Sequence, residues 1–195
     1  MADKSSRFKS PVGIALGAAG EVLVADSELG MVARLDRNGS PLEGFGAGLL
    51  KRPTGIARDP GQGMVYVADS QSHDIKVFND QGQLMSILGE RGNADGEFNS
   101  PTHLAFANDS LYVTDTLNSR VQIIGRDDAL KRKFGERGLY VGNLVRPKGV
   151  TVDGDGNIYV VESLYDTLLV FSRDGALLLA MGGTGKQTGN FYLPA

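Results

Sequence analysis

Cysteine is absent from the 195 residues, which excludes a disulfide framework, thiolate catalysis and any Cys-ligated zinc or iron–sulfur site, and leaves the redox compartment open. Histidine occurs only twice, as His73 and His103, too few for the three-imidazole shell of a typical catalytic zinc. No apolar run approaches the roughly eighteen residues of a membrane-spanning helix. The start, Met1-Ala2-Asp3-Lys4-Ser5-Ser6, lacks the apolar stretch of a secretory signal, so no membrane insertion is expected and the compartment stays unassigned. Neither sign of charge dominates: 23 acids against 20 bases leave a net charge of -3. That balance argues against non-specific nucleic-acid binding, because phosphate contacts need a concentrated positive face. Glycine is what abounds, with 27 residues, roughly twice ordinary usage. At 41% hydrophobic, the chain can bury a sizeable core in one or at most two domains.

A repeat organises the sequence. Pro11-Val12-Gly13-Ile14-Ala15 is echoed by Pro53-Thr54-Gly55-Ile56-Ala57, Pro101-Thr102-His103-Leu104-Ala105 and Pro147-Lys148-Gly149-Val150-Thr151, and a further copy starts at Pro194. The proline spacings are 42, 48, 46 and 47 residues. Each unit carries an acid after an apolar run, at Asp26, Asp69, Asp115 and Glu162, and a glycine twenty residues later, at Gly46, Gly89, Gly135 and Gly182. The apolar segments are short, rich in Val, Ile, Tyr and Phe, and parted by Gly, Asn and Asp, which predicts strands joined by tight turns rather than helices. In the second unit the expected strands are 55–57, 64–68, 75–78 and 84–88. Four antiparallel strands at this period predict a β-propeller blade.

The residues that follow the pattern most fully, Val65-Tyr66-Val67-Ala68-Asp69, Ile75-Lys76-Val77-Phe78 and Tyr112-Val113-Thr114-Asp115-Thr116-Leu117-Asn118-Ser119-Arg120-Val121-Gln122-Ile123, resemble NHL repeats, above all those of bacterial six-bladed propellers. The resemblance implies an all-β propeller in which the first strand of each blade lines a central channel and the fourth lies outermost. It places the Pro-x-Gly segments and the loops after the acids on one face, the usual binding face. Expected blades span 11–52, 53–100, 101–146 and 147–193. Residues 1–10 are expected to end a preceding inter-blade loop, and 194–195 to begin a truncated fifth repeat. Four units are expected to be part of a six-bladed ring, with a closed four-bladed ring as the rival. An open arc would leave apolar faces on its first and last blades, with Leu23, Leu35, Leu169 and Phe171 expected there and self-association as the consequence.

Several patterns invite a chemical reading and are better explained structurally. The repeated acid is expected to bind backbone amides of the next loop, and Asp115 to pair with Arg120. Residues 182–189 look superficially like a phosphate loop, but Gln187 stands where Ser or Thr belongs and no helix follows; they read as an inter-blade loop. Residues 153–157 look like a calcium loop, yet Ile158 and Leu164 occupy positions that need Gly and Glu, so a hairpin turn is expected. Lys131-Arg132-Lys133 is assigned to an outermost strand, where basic residues protect an edge from mispairing. The third unit holds seven bases against five acids, the second three against seven. Some NHL domains bind single-stranded RNA on a basic face, and here nucleic acid is not the expected partner.

The expected function is non-catalytic: a binding or scaffolding propeller for a protein, peptide or extracellular polymer, with no metal and no cofactor. Extracytoplasmic location of the parent protein is what the resemblance implies. Candidate contacts are the polar or aromatic residues at inner-strand entrances and second-to-third-strand loops: Arg52, Thr54, His73, Thr102, His103, Asn118, Arg146, Lys148 and Tyr165. The alternative is a lactonase-like metal-dependent hydrolase or lyase with its site in the channel. Val12, Thr54, Thr102, His103 and Lys148 at the strand entrances offer it one imidazole and no carboxylate.

Overall fold

A computed structural model describes residues 8–195; residues 1–7, most of the segment read as a preceding loop, lie outside the described residues. Four antiparallel sheets, each in sequence order, contain all the strands. The first holds β1 (Pro11–Leu16), β2 (Val22–Asp26), β3 (Met31–Leu35) and β4 (Pro41–Phe45). The second holds β5 (Pro53–Asp59), β6 (Met64–Asp69), β7 (Asp74–Asn79) and β8 (Leu84–Leu88). In the third are β9 (Pro101–Ala107), β10 (Ser110–Asp115), β11 (Arg120–Gly125) and β12 (Leu130–Phe134). The fourth comprises β13 (Pro147–Val152), β14 (Ile158–Glu162), β15 (Thr167–Phe171) and β16 (Leu177–Gly182). Among the described residues, helix is limited to single 3-10 turns at Ala18–Gly20 and Thr116–Asn118. The fold is all-β, a propeller of four-stranded blades, and the 131–133 run lies on the outer strand β12 as the sequence predicts.

Turn chemistry closes the hairpins. The Asp36 carboxylate accepts the amides of Asn38 and Ser40, Asn79 Oδ1 those of Gln81 and Gln83, and Asp153 those of Asp155 and Asn157. Each side chain supplies the acceptor that a two-residue backbone turn leaves missing. The 153–157 segment is therefore a hairpin turn, with the Tyr159 hydroxyl also donating to Asp153.

The first strands run beside one another, β1 against β5, β5 against β9 and β9 against β13. Glycine permits this approach: a Cβ on Gly55 would fall 2.7 Å from both the Cα of His103 and the carbonyl oxygen of Thr102. His103 stands at the corresponding place on β9. Apolar side chains fill the gap between successive sheets: Leu23, Ile56, Val67 and Phe78 between the first and second, Tyr66, Val77, Leu104 and Val113 between the second and third, and Tyr112, Ile123, Val160 and Phe171 between the third and fourth. The middle strands β6 and β10 are buried on both faces, which explains their nearly unbroken apolar runs.

Ile14 on β1 is 72% exposed and Leu16 is 71% exposed, whereas Ile56, three residues after its proline as Ile14 is after Pro11, is 5% exposed. The four sheets form an open arc, not a closed ring of four. Three residues expected on the open faces are elsewhere: Leu23, Leu169 and Phe171 are 1%, 2% and 3% exposed and belong to inter-sheet cores. Strand alternation is the reason. Leu23 shares its place in the repeat with Tyr66, which faces the following sheet, and the side that faces backward carries Ile14 and Leu16 instead.

Candidate functional site

In every sheet the first proline of the inner strand pairs with the acid that ends the second strand: Pro11 with Asp26, Pro53 with Asp69, Pro101 with Asp115 and Pro147 with Glu162. The register shifts just inside each pair, and such a bulge re-aims the residues beside it. All four acids are fully buried. Their partners correct the sequence reading. Besides amides of the following loop, each binds the segment that leads into the same sheet: Asp26 accepts from Lys9 and Ser10, Asp69 from Lys51 and Arg52, Asp115 from Asn99, and Glu162 from Val145 and Arg146. One carboxylate thus ties the incoming chain to the loop leaving β2, β6, β10 or β14. Burial pushes the Asp69 carboxyl up, but the amides of Lys51, Arg52 and Ser72 and the Lys76 ammonium outweigh it and hold it below the ordinary value. At Asp115 burial wins, against Asn99, Asn118 and Arg120, and the carboxyl is pushed up.

Several candidate contacts are occupied within the fold. Thr54 Oγ1 faces the carbonyls of Ala68 and Pro101, and Thr102 bonds the hydroxyls of Thr114 and Thr116. Asn118 donates to Gly92 O and Asp115, and the Tyr165 hydroxyl to Gly138 O. His73 accepts the Ser100 amide at Nδ1, standing in for the carboxylate that binds the residue before proline in the other three sheets. None of this sharing across sheets is readable from spacing alone.

Arg52, His103, Arg146 and Lys148 are different. Arg52 and Arg146 directly precede the prolines of β5 and β13 and are exposed, while Lys148 and His103 are part-buried on β13 and β9. Among the described residues, the side chains of Arg52, Arg146 and Lys148 make no hydrogen bond or ion pair, and the buried Nδ1 of His103 has no partner. Burial, with the charges of Arg146 and Arg52, pulls the Lys148 ammonium below its ordinary value. Burial and Lys148 press the His103 imidazole down to about 4. The channel mouth is therefore a compact, uncompensated cationic group around one neutral imidazole. The buried acids Asp69, Asp115 and Glu162 are engaged by amides and, at Asp69 and Asp115, by Lys76 and Arg120. Among the described residues no group of three or more His, Asp or Glu is placed to hold a metal ion.

Two exposed leucines on the same face were missed from sequence: Leu117 and Leu164, two residues after Asp115 and Glu162, are 62% and 47% exposed. Their shared offset from the acid was the available signal.

The neutral state of His103 makes stability pH-dependent. The unfolded ring binds its proton near 6.5 and the folded one near 4, so its contribution is complete above about pH 6.5 and is lost as pH falls toward 4. At about 1.4 kcal/mol per unit, reduced for partial exposure, the loss is on the order of 2 kcal/mol. Urea unfolding at pH 7.5 and pH 4 measures it, and His103→Gly, which installs the residue of the other three repeats, should flatten that part of the profile. A second loss follows below pH 3.8, where Asp26, Asp59, Asp69 and Asp80, all held below that value in the fold, take up protons.

With the geometry in view, comparison with known proteins places the repeats. The chain is similar to the Protein brain tumor of Drosophila melanogaster, 32% identical over 114 residues, covering 57% of this chain and 10% of that protein. It is also similar to NHL repeat-containing protein 2 of Bos taurus, 29% identical over 151 residues, covering 60% of this chain and 21% of that one. The chain is similar to NHL-repeat proteins. No family model matches it. Both relatives are animal proteins rather than bacterial ones, and this chain spans only a small part of each. Among solved structures, the nidogen/laminin complex aligns with a TM-score of 0.77 at 21% identity, covering 96% of this chain and 68% of that one, which shows the propeller fold. No helix among the described residues is long and apolar enough to cross a membrane.

Proposed function

We propose that this NHL propeller is a non-catalytic binding module whose partner is a protein or peptide, engaged on the channel-mouth face. The observation that carries the reading is the unpaired set Arg52, Arg146 and Lys148 beside exposed Leu117 and Leu164. Cations and apolar side chains left exposed together, on a rim whose other polar groups are internally bonded, fit a protein surface better than a reaction centre. A six-bladed frame with repeats bounded at 11–52, 53–100, 101–146 and 147–193 accompanies this proposal. It is supported by the open arc and by the 68% share of the nidogen/laminin chain that these four sheets cover.

Photo-crosslinking tests the reading. A crosslinking residue at position 146 should capture protein adducts in a lysate, while one at position 85 on the outer strand β8 should not. Adducts only from position 85 would overturn the assignment of the face, and nuclease-sensitive adducts at position 146 would replace protein by RNA.

A further inference from the structure

We propose that the channel mouth takes a carboxylate of an acidic peptide segment, and that an apolar residue of the same segment docks in the groove beside it. This rests on the reading of the mouth as a protein-binding face. The groove lies between residues 139–143 and the fourth sheet, and is lined by Leu139, Tyr140, Val141, Tyr165, Leu169 and Ala180. Leu139, Tyr140 and Val141 are 87%, 83% and 76% exposed, an apolar run with nothing packed over it. The groove lies over β15 and β16, and the same connector runs from it through Asn143, Leu144 and Val145 to Arg146 just before β13, a distance an extended peptide segment spans. Tyr165, anchored to Gly138 O, forms one wall of the groove.

Charge decides the chemistry of the occupant. Three cations without an internal partner favour an acceptor, and a carboxylate takes hydrogen bonds from Arg and Lys in a charge-assisted geometry. The positive region is compact. The connector between the second and third sheets, on the same face, carries Glu90, Asp95 and Glu97, and the chain as a whole is acidic. An extended polyanion such as RNA would cross those acids, whereas one carboxylate at the mouth with an apolar neighbour in the groove meets a single acid, Glu136, already bonded by Asn143.

The repeat supplies test variants that the fold already accepts. Ser10 and Ser100 occupy the places of Arg52 and Arg146, and Thr54 and Thr102 that of Lys148. Arg52→Ser, Arg146→Ser and Lys148→Thr, combined, therefore remove the charge with residues native to neighbouring blades. Dodecapeptides selected from a random phage library on the 195-residue chain should carry Asp or Glu next to Leu, Phe or Tyr. In fluorescence anisotropy they should lose at least tenfold affinity for the triple variant, for Tyr140→Ser with Val141→Ser, and when their acid is changed to the amide.

Amide chemical-shift mapping separates the two layers of the argument. If acid and amide peptides bind alike and shifts still map to the mouth, the carboxylate inference is wrong and the binding-face reading stands. Shifts mapping elsewhere, or a selection yielding no mouth-binding peptide, overturn both. An oligouridylate that displaces the peptides at lower concentration than they bind also overturns the inference.

Discussion

Asp115→Ala should lower the stability of the chain by about 3 to 5 kcal/mol, the range for breaking a buried ion pair by removing one partner. Asp115 is fully buried, and Arg120 is 8% exposed with its Nε 2.8 Å from the carboxylate. The guanidinium also donates to the carbonyls of Asn93, Ala94 and Glu97, and Gln122 donates to the Glu97 carbonyl while accepting the Gly96 amide. Asp115 thus holds in place the arginine that clamps the whole connector between the second and third sheets. Deleting it strands a charge, the Asn99 amide and the Asn118 amide group at once. Asp26→Ala in the first sheet should cost less, about 1 to 2 kcal/mol, because its partners are backbone amides without a buried cation. Urea denaturation of the two variants decides this. An Asp115→Ala protein as stable as the parent but defective in peptide binding would make the acid a ligand contact and end the structural reading.

The repeat period, the four-strand unit and the place of each acid were legible because they recur: every blade must solve the same packing problem, so the same residue types return at the same offsets. What joins one blade to the next was not. His73 accepts the amide of Ser100 just ahead of the next sheet, 27 residues on, and the Thr116 hydroxyl donates to the Pro147 carbonyl of the fourth sheet across 31 residues. Such partners follow from curvature and bulges, which spacing does not encode. Facing was the other gap. Alternation along β2 puts Leu23 on the same side as Ala25, toward the second sheet, and spacing alone does not say which side that is. Of the candidate contacts, Arg52, His103, Arg146 and Lys148 form the cationic mouth, while Thr54, Thr102, His73 and Asn118 spend their polar groups within the fold. Polarity and position in the repeat could not separate the two sets, because the difference lies in which carbonyl or carboxylate is within reach.

Ile56→Ala and Ile14→Ala should differ by several kcal/mol although they change the same residue at the same place in the repeat. Ile56 is 5% exposed against the first sheet, so truncation leaves a cavity and should cost about 2 to 5 kcal/mol. Ile14 is 72% exposed, and its truncation should stay within about 0.5 kcal/mol. That prediction holds for the isolated arc at low concentration. Val12, Ile14 and Leu16, exposed together along β1, present the face that a preceding blade covers elsewhere in the molecule, and incomplete repeat arrays with such faces associate. Sedimentation over a range of concentrations, with stability measured at each, tests this. Association that disappears in Ile14→Lys, with an Ile14→Ala cost that grows as concentration rises, is the expected pattern. A concentration-independent monomer in which Ile14→Ala costs as much as Ile56→Ala would mean that the face is covered within one chain, and the open arc would have to be abandoned.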